Sequence, residues 1–414
     1  MGQVRGAPEP GSAWTAASAD PEWAKIPARA EPRPPGTAAS AKPGSAETVA
    51  VAQPGWAEIA ALLPPAPSLP RGSRGRELAA WTGRAAGCLL GKPVEKIPRE
   101  GIEEILRATG RWPLAGWFTA AGLPADVAAR WPWNRRSAPT SLAENIDGMP
   151  EDDDLNYPIL ALSLLERHGR GFTTEDVAQL WLDNLPAGRV FTAERAAYRN
   201  LLDARPDTAT HHNPFREWIG ALIRADVFGW VSPGDVRSAA RLAWTDARLS
   251  HTRNGVYGAM WAAGLASAAM VCDTVEEVLD AASAVVPAGS ALAAAIGFGR
   301  DAARSGDVRD GLDRLHEAYG GLHWVHVLNN AAVIAYALAK GGGEFGPSVS
   351  IAVTAGWDTD SAAATVGGVV GAVSGVDEYW SKPLDDRIAT SLPGGERRIT
   401  DLAARTAALA EGAA

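Results

Sequence analysis

Residues 355–375 read AGWDTDSAAATVGGVVGAVSG. Asp358 and Asp360 flank Thr359, Ser361 adds a hydroxyl, and a run of Ala, Val, Thr and Gly follows. The pattern predicts carboxylates at the head of an apolar helix built almost wholly of small side chains. Gly367, Gly368, Gly371 and Gly375 are costly in a helix interior, roughly 1 kcal/mol each relative to Ala. They make sense if the helix is buried tightly against others. An Asp N-cap followed by a turn accounts for one of the acids. Asp-x-Asp-Ser also offers several hard oxygen ligands in a short span, which suits Mg²⁺ or Mn²⁺.

Working outward, Ala/Leu/Val-rich segments with helical spacing follow one another: 76–90, 155–168, 174–182, 233–247, 255–270, 275–286, 329–339 and 362–373. Few stretches show the two-residue alternation of a half-buried strand. One all-α domain over 75–414 is predicted. Residues 1–70, rich in Pro, Ala, Gly and Ser, read as a disordered tail with a short helical piece at 56–63. Residues 110–140 carry Trp112, Trp117, Trp131 and Trp133 among Pro and Gly. They read as a long loop, either functional or a Trp-anchored surface wrap.

The 414 residues are 46% hydrophobic, enough for a sizeable core, and carry a net charge of −9. That balance argues against a broad nucleic-acid footprint, which is usually basic. Cys88 and Cys272 make neither a disulfide framework nor a Cys-based zinc site. A reduced, cytoplasmic setting is expected. The N-terminus lacks an apolar signal core, and 257–271 is too short and Ala/Gly-rich to span a membrane. No membrane association and a monomeric state are expected.

A second acidic cluster, Glu151-Asp152-Asp153-Asp154, precedes a segment whose Leu155, Ile159, Leu162 and Leu165 fall on one helical face. One or two acids there would be ordinary capping and dipole chemistry. Four in a row repel one another unless cations bind between them. Pro158 fits a first turn. Two acidic clusters, each heading an apolar helix, together suggest a two-metal centre.

These segments resemble the ADP-ribosylglycohydrolase family. That family has a Gly-rich first helix ending in a Glu, a Thr-Asp-Asp type motif, and an Asp-x-Asp-Thr/Ser motif before a small-residue helix. The corresponding stretches here are Gly87-Cys88-Leu89-Leu90-Gly91-Lys92-Pro93-Val94-Glu95, Glu151–Asp154 and Asp358-Thr359-Asp360-Ser361. The resemblance spans roughly 77–375. It also touches 213–218, 251–258 and Asn329-Asn330.

The resemblance implies an orthogonal multi-helix bundle with two Mg²⁺ ions, Mn²⁺ being the alternative. It implies cleavage of the glycosidic bond between ADP-ribose and a protein side chain or other acceptor. By the same route Asp152, Asp153, Asp154, Asp358, Asp360 and Ser361 become metal ligands. Glu95, Asp153 and Asp154 become catalytic acids, and Gly91, His251, Asn254 and Gly255 substrate contacts. The expected partner is an ADP-ribosylated protein or small molecule, with no direct nucleic-acid binding. Two departures stand out: Glu-Asp-Asp-Asp replaces the usual Thr-Asp-Asp-Thr, and Cys88 stands where many members carry Asp. The helix pattern aligns Asp152 with the Thr and Asp153 and Asp154 with the two aspartates. A one-residue shift uses Glu151, Asp152 and Asp153 instead. Rival readings are a metal hydrolase of another nucleotide-like or glycosylated small molecule, and a non-catalytic ADP-ribose-binding relative. Unaided by the resemblance, Glu95 is an exposed loop acid and His251 a capping or core residue.

Overall fold

Helices form wherever the sequence repeats apolar residues at helical spacing. The computed structural model describes residues 53–412 except 305, and among these nineteen α-helices make the architecture. The one sheet among the described residues is a two-residue antiparallel pair, Arg387–Ile388 against Arg397–Arg398. The domain is all-α, as expected. No described helix is long and apolar enough to cross a membrane. The helices used below are α1 (Trp56–Ala61), α2 (Glu77–Gly91), α3 (Asp153–His168), α4 (Val236–Ala247), α5 (Asn254–Ala269), α6 (Val327–Lys340) and α7 (Thr359–Ser374).

Of the glycines expected in α7, Gly367 and Gly371 serve its contact with α2, Gly368 faces the Asp226, Arg84 and Trp230 side chains, and Gly375 is the C-cap at φ +86°. Gly83, Gly87 and Gly91 recur every four residues along α2, as Thr359, Ala363, Gly367 and Gly371 do along α7. A Cβ on Gly83 would lie 2.1 Å from the Gly367 carbonyl oxygen, and one on Gly87 2.0 Å from that of Ala363. One on Gly91 would lie 2.4 Å from the Thr359 carbonyl. No side chain fits, so the two backbones touch along rows of residues four apart. The propensity lost, roughly 1 kcal/mol per glycine, is offset by continuous dispersion contact between close-packed atoms. The Thr359 hydroxyl donates to the Gly91 carbonyl at 2.9 Å, satisfying an acceptor at the end of α2 that has no helical partner. This fixes the head of α7 against the tail of α2.

Helix α3 begins at Asp153, with Asp152 as its cap: the Asp152 side chain accepts from the Asp154 N–H at 2.9 Å. Pro158, expected in the first turn, therefore sits in the second. A proline there has no N–H for the carbonyl four residues back, which is that of Asp154. Arg84 of α2 takes the freed acceptor, donating from Nε at 2.8 Å.

The domain starts earlier than residue 75. The short helix expected within 56–63 forms as α1, but it packs rather than trailing. Ile59 is 1% exposed, and the Trp56 ring lies 5.8 Å from Trp244 of α4. The Gln53 amide donates to the Arg248 carbonyl at 3.2 Å, and Arg71 pairs with Asp235 at 2.6 Å. Two large apolar side chains three residues apart give this Pro-rich stretch a face to bury, which the compositional reading of 1–70 overlooked. The rest of the expected tail, residues 1–52, lies outside the described residues. The Trp-rich stretch is an anchored wrap containing a short helix, Ala125–Arg130. Trp117 is buried against Trp380, and the Trp131 indole donates to Glu104 at 2.7 Å.

Candidate metal centre

The α2–α7 contact brings the head of α7 beside the head of α3, although some two hundred residues separate them in sequence. The Ser361 hydroxyl donates to Asp154 Oδ2 at 3.2 Å. Asp358 and Asp360 share a hydrogen bond, and both feel the carboxylates of the first cluster. The turn before α7 is held from three sides. Asn330 of α6 accepts from the Asp358 N–H at 3.3 Å, while its own amide donates to the Trp324 and His326 carbonyls. Trp357, at φ +64°, stacks on His316 at 4.2 Å. His316 Nε2 lies 2.8 Å from the Ala355 carbonyl oxygen. Asp358, Asp360 and Ser361 are each 6% exposed.

Arg84 and Lys92 serve the first cluster and were not singled out in the sequence. Arg84 is fully buried. Besides the Asp154 carbonyl, it meets Asp154 Oδ1 at 3.1 Å, Asp226 at 2.5 Å and the Ile223 carbonyl. Lys92, 6% exposed, forms an ion pair with Asp152 Oδ2. Burial pushes the Asp152 carboxyl upward, but the Lys92 ammonium together with hydrogen bonds from the Asp154 N–H and the Asp153 side chain outweighs it and holds Asp152 below the usual range. A charged residue inside an otherwise small and apolar segment was the available signal: Arg84 among Gly and Ala, Lys92 between Leu-Leu-Gly and Pro-Val. Glu151 points elsewhere, to Arg189 at 2.7 Å, Asn156 and Ser391. Asp152, Asp153 and Asp154 are thus the acids of this run that lie close enough to Asp360 to feel its charge.

Asp153, Asp358 and Asp360 have no basic partner within ion-pair distance among the described residues. Burial, and then neighbouring carboxylates, push Asp153 and Asp358 well above the usual carboxylate range and raise Asp360 as well. Like charges gathered out of water need cations or protons. Asp153, Asp358 and Asp360, with the Ser361 hydroxyl nearby, offer the hard oxygens that a divalent ion of the Mg²⁺ or Mn²⁺ type prefers. The one group of three possible ligand side chains whose donor atoms lie within 4.8 Å of one another among the described residues is Cys88, Asp152 and Asp154. Lys92 and Arg84 already balance those two acids, and burial pushes the Cys88 thiol up, so it stays protonated.

Glu95 completes the site. It lies just past the end of α2, its side chain 20% exposed. Asn134, from the end of the Trp-rich wrap, donates to its Oε2 at 2.6 Å, and Lys96 lies 3.5 Å from Oε1. Burial, then Asp360, raises the Glu95 carboxyl from 4.5 to about 7.

A family model for ADP-ribosylglycohydrolase matches residues 70–413. The chain belongs to that family. An uncharacterized protein of Archaeoglobus fulgidus is 27% identical over 331 residues, covering 77% of this chain and 96% of the relative. A solved chain titled ADP-ribosylglycohydrolase-related protein complex superposes with a TM-score of 0.50 at 21% identity. It covers 81% of this chain and 97% of its own length, and speaks for the fold. The ADP-ribosylglycohydrolase fold thus agrees with the all-α expectation, and membership supports a hydrolase of glycohydrolase type.

Within this ADP-ribosylglycohydrolase scaffold the expected substrate contacts lie in different places. Gly91 lies where α2 touches α7. His251 is fully buried, its Nδ1 2.8 Å from the Ser250 hydroxyl, beside the buried Arg224–Glu194–Asp246 network. Burial, then Arg224, keeps its imidazole neutral. Asn254 bridges Glu217 at 2.7 Å and the Leu292 N–H at 3.1 Å. Gly255 admits the Arg216 carbonyl, 2.5 Å from where its Cβ would stand. No hydrogen bond or ion pair among the described residues joins these last three to the carboxylate cluster; they brace the 213–218 loop against α5. Asp154, expected among the catalytic acids, is engaged by Arg84 and Ser361.

Proposed function

We propose that the chain is a Mg²⁺- or Mn²⁺-dependent hydrolase that cleaves the glycosidic bond between ADP-ribose and an acceptor. The observation that supports it is the convergence of Asp153, Asp358, Asp360 and Glu95, carboxylates from three distant segments, in one largely buried place. Asp153, Asp358 and Asp360, with Ser361 beside them, would hold the ion. When bound, the ion would supply Lewis acidity toward ribose hydroxyls and water.

The chain's own groups supply the rest. Breaking a ribosyl bond builds positive charge on the sugar ring, which a carboxylate-lined site tolerates. Glu95, with its carboxyl near neutrality and its side chain in reach of solvent, takes a proton from the attacking water at a carboxylate oxygen. Asn134 holds that carboxylate in place. Asp154, fixed by Arg84, holds the Ser361 hydroxyl and so orients the head of α7.

The test incubates the full chain and Mg²⁺ with arginine-, serine- and nucleobase-linked ADP-ribose and follows free ADP-ribose. Release from at least one acceptor, lost with chelator, is expected. Metal binding with no release from any of them would overturn the reading.

A further inference from the structure

Two cations of the chain itself lie at the acidic site. Lys92, beside the last turn of α2, and Arg84, two turns further back, both project toward the head of α3. Each is nine-tenths or more buried, and each engages a carboxylate of the first cluster. The oxygens of that cluster can be followed one by one. Asp152 Oδ1 accepts the Asp154 N–H and Oδ2 accepts Lys92. Asp154 Oδ1 accepts Arg84 and Oδ2 accepts Ser361. Four oxygens that could bridge ions are taken, two of them by formal positive charges. Glu95 already has Lys96 at 3.5 Å; Asp153, Asp358 and Asp360 remain, three carboxyl groups without a basic partner. A single divalent ion compensates most of their charge. A second would need to displace the ammonium or the guanidinium and would face their repulsion at short range.

We propose that the Lys92 ammonium occupies the place of a second metal ion, so that this chain holds one divalent cation. The proposal rests on the reading that these carboxylates bind metal. A strongly hydrated, compact ammonium is a fair substitute for a cation on a carboxylate, because it offers donors in several directions from one point charge. Lys92 caps α2 and opens the 3₁₀ turn Lys92–Val94, and its ammonium reaches Asp152, the cap of α3. Here the built-in cation arrives with the fold itself.

The experiment counts ions. The full chain is saturated with Mn²⁺ and desalted, and bound metal is measured by elemental analysis, titration calorimetry and paramagnetic resonance. The wild type should hold one Mn²⁺ per chain with a mononuclear spectrum. Lys92→Met, similar in length but neutral, should hold two with a coupled spectrum, and Lys92→Arg should return to one. Two ions in the wild type, or one in Lys92→Met, would overturn the proposal. If Lys92→Met does not fold, the wild-type count and its spectrum decide alone. No ion in the wild type or in Lys92→Met would overturn the metal reading beneath it, which is a different result from two ions in the wild type.

Discussion

At Asp152 and Asp154 every carboxylate oxygen has a hydrogen-bond partner, and each acid has a basic side chain. At Asp358 and Asp360, equally buried, the acids hydrogen-bond to each other and to the Ser361 N–H, with no base in ion-pair distance among the described residues. In the first motif Asp152 and Asp154 are compensated from within. The second is left short of positive charge, which is what the proposed metal reading calls for. Spacing alone does not distinguish the two, since both are runs of acids before a helix; the partners reached in three dimensions do.

Variants on the two sides should therefore fail in opposite ways. The largest loss of stability belongs to the first side. Arg84→Met leaves Asp154 and Asp226 buried without their cation, which costs about 3–5 kcal/mol. Denaturant unfolding should show this with and without Mg²⁺, and the added change Asp226→Asn should recover part of it. Unchanged stability would mean that the Arg84 pairs are dispensable.

On the second side, Asp360→Asn should keep the fold and cut turnover by more than about 100-fold, beyond what loss of an outer-shell partner costs. The metal-free variant should melt at or above the metal-free wild type, because a repelled carboxylate is gone. Its Mg²⁺-induced rise in Tm should shrink. Wild-type turnover together with wild-type Mg²⁺ stabilisation would reduce Asp360 to a helix cap.

The seam that joins the two sides comes next. Gly87→Ala places a methyl 2.0 Å from the Ala363 carbonyl oxygen, and such overpacking costs about 1–3 kcal/mol. It gains up to about 1 kcal/mol of helix propensity in return. Unfolding should show a net loss, and calorimetry should show weaker Mn²⁺ binding, since the head of α7 moves relative to α3. A more stable variant would show that the contact can open freely.

The smallest effect is in pH. Glu95 is raised from 4.5 to about 7, and Asp153, Asp358 and Asp360 are raised as well. Groups raised in the folded state favour folding fully below their unfolded values, and that contribution is lost as pH rises through the folded ones. The metal-free Tm should therefore fall as pH rises from the ordinary carboxylate range to above about 7. Saturating Mg²⁺ should flatten the fall. A metal-free Tm that rises across this window would contradict the raised values.

The all-α fold was legible because period and composition agreed along most of the chain, and the glycines of α7 already required a close neighbour. Asp152–Asp154 and Asp358–Ser361 were legible as acid runs at helix starts. Arg84 and Lys92 were not, because a single basic residue in an apolar segment names no partner. Pro158 was placed one turn too early, since the helix start depends on which acid caps it. His251, Asn254 and Gly255 form a recognisable motif, but their hydrogen bonds brace a loop. Ile59 and Trp56 were hidden by the proline content around them, which suggested a chain with nothing to bury.

The Thr359–Gly91 hydrogen bond joins residues 268 positions apart, and this has a consequence in time. At synthesis rates of about 5–20 residues per second, α2 leaves the ribosome on the order of tens of seconds before α7. Through that interval its row of bare glycine backbone has no partner, and the two acidic motifs cannot meet. On the proposed metal reading, an ion that needs both motifs could be taken up only after α7 has been made, so metal loading would come late. Assembly that depends on such distant contacts is slow, and on that reading the α2–α7 contact would be the step at which folding and metal uptake become one process.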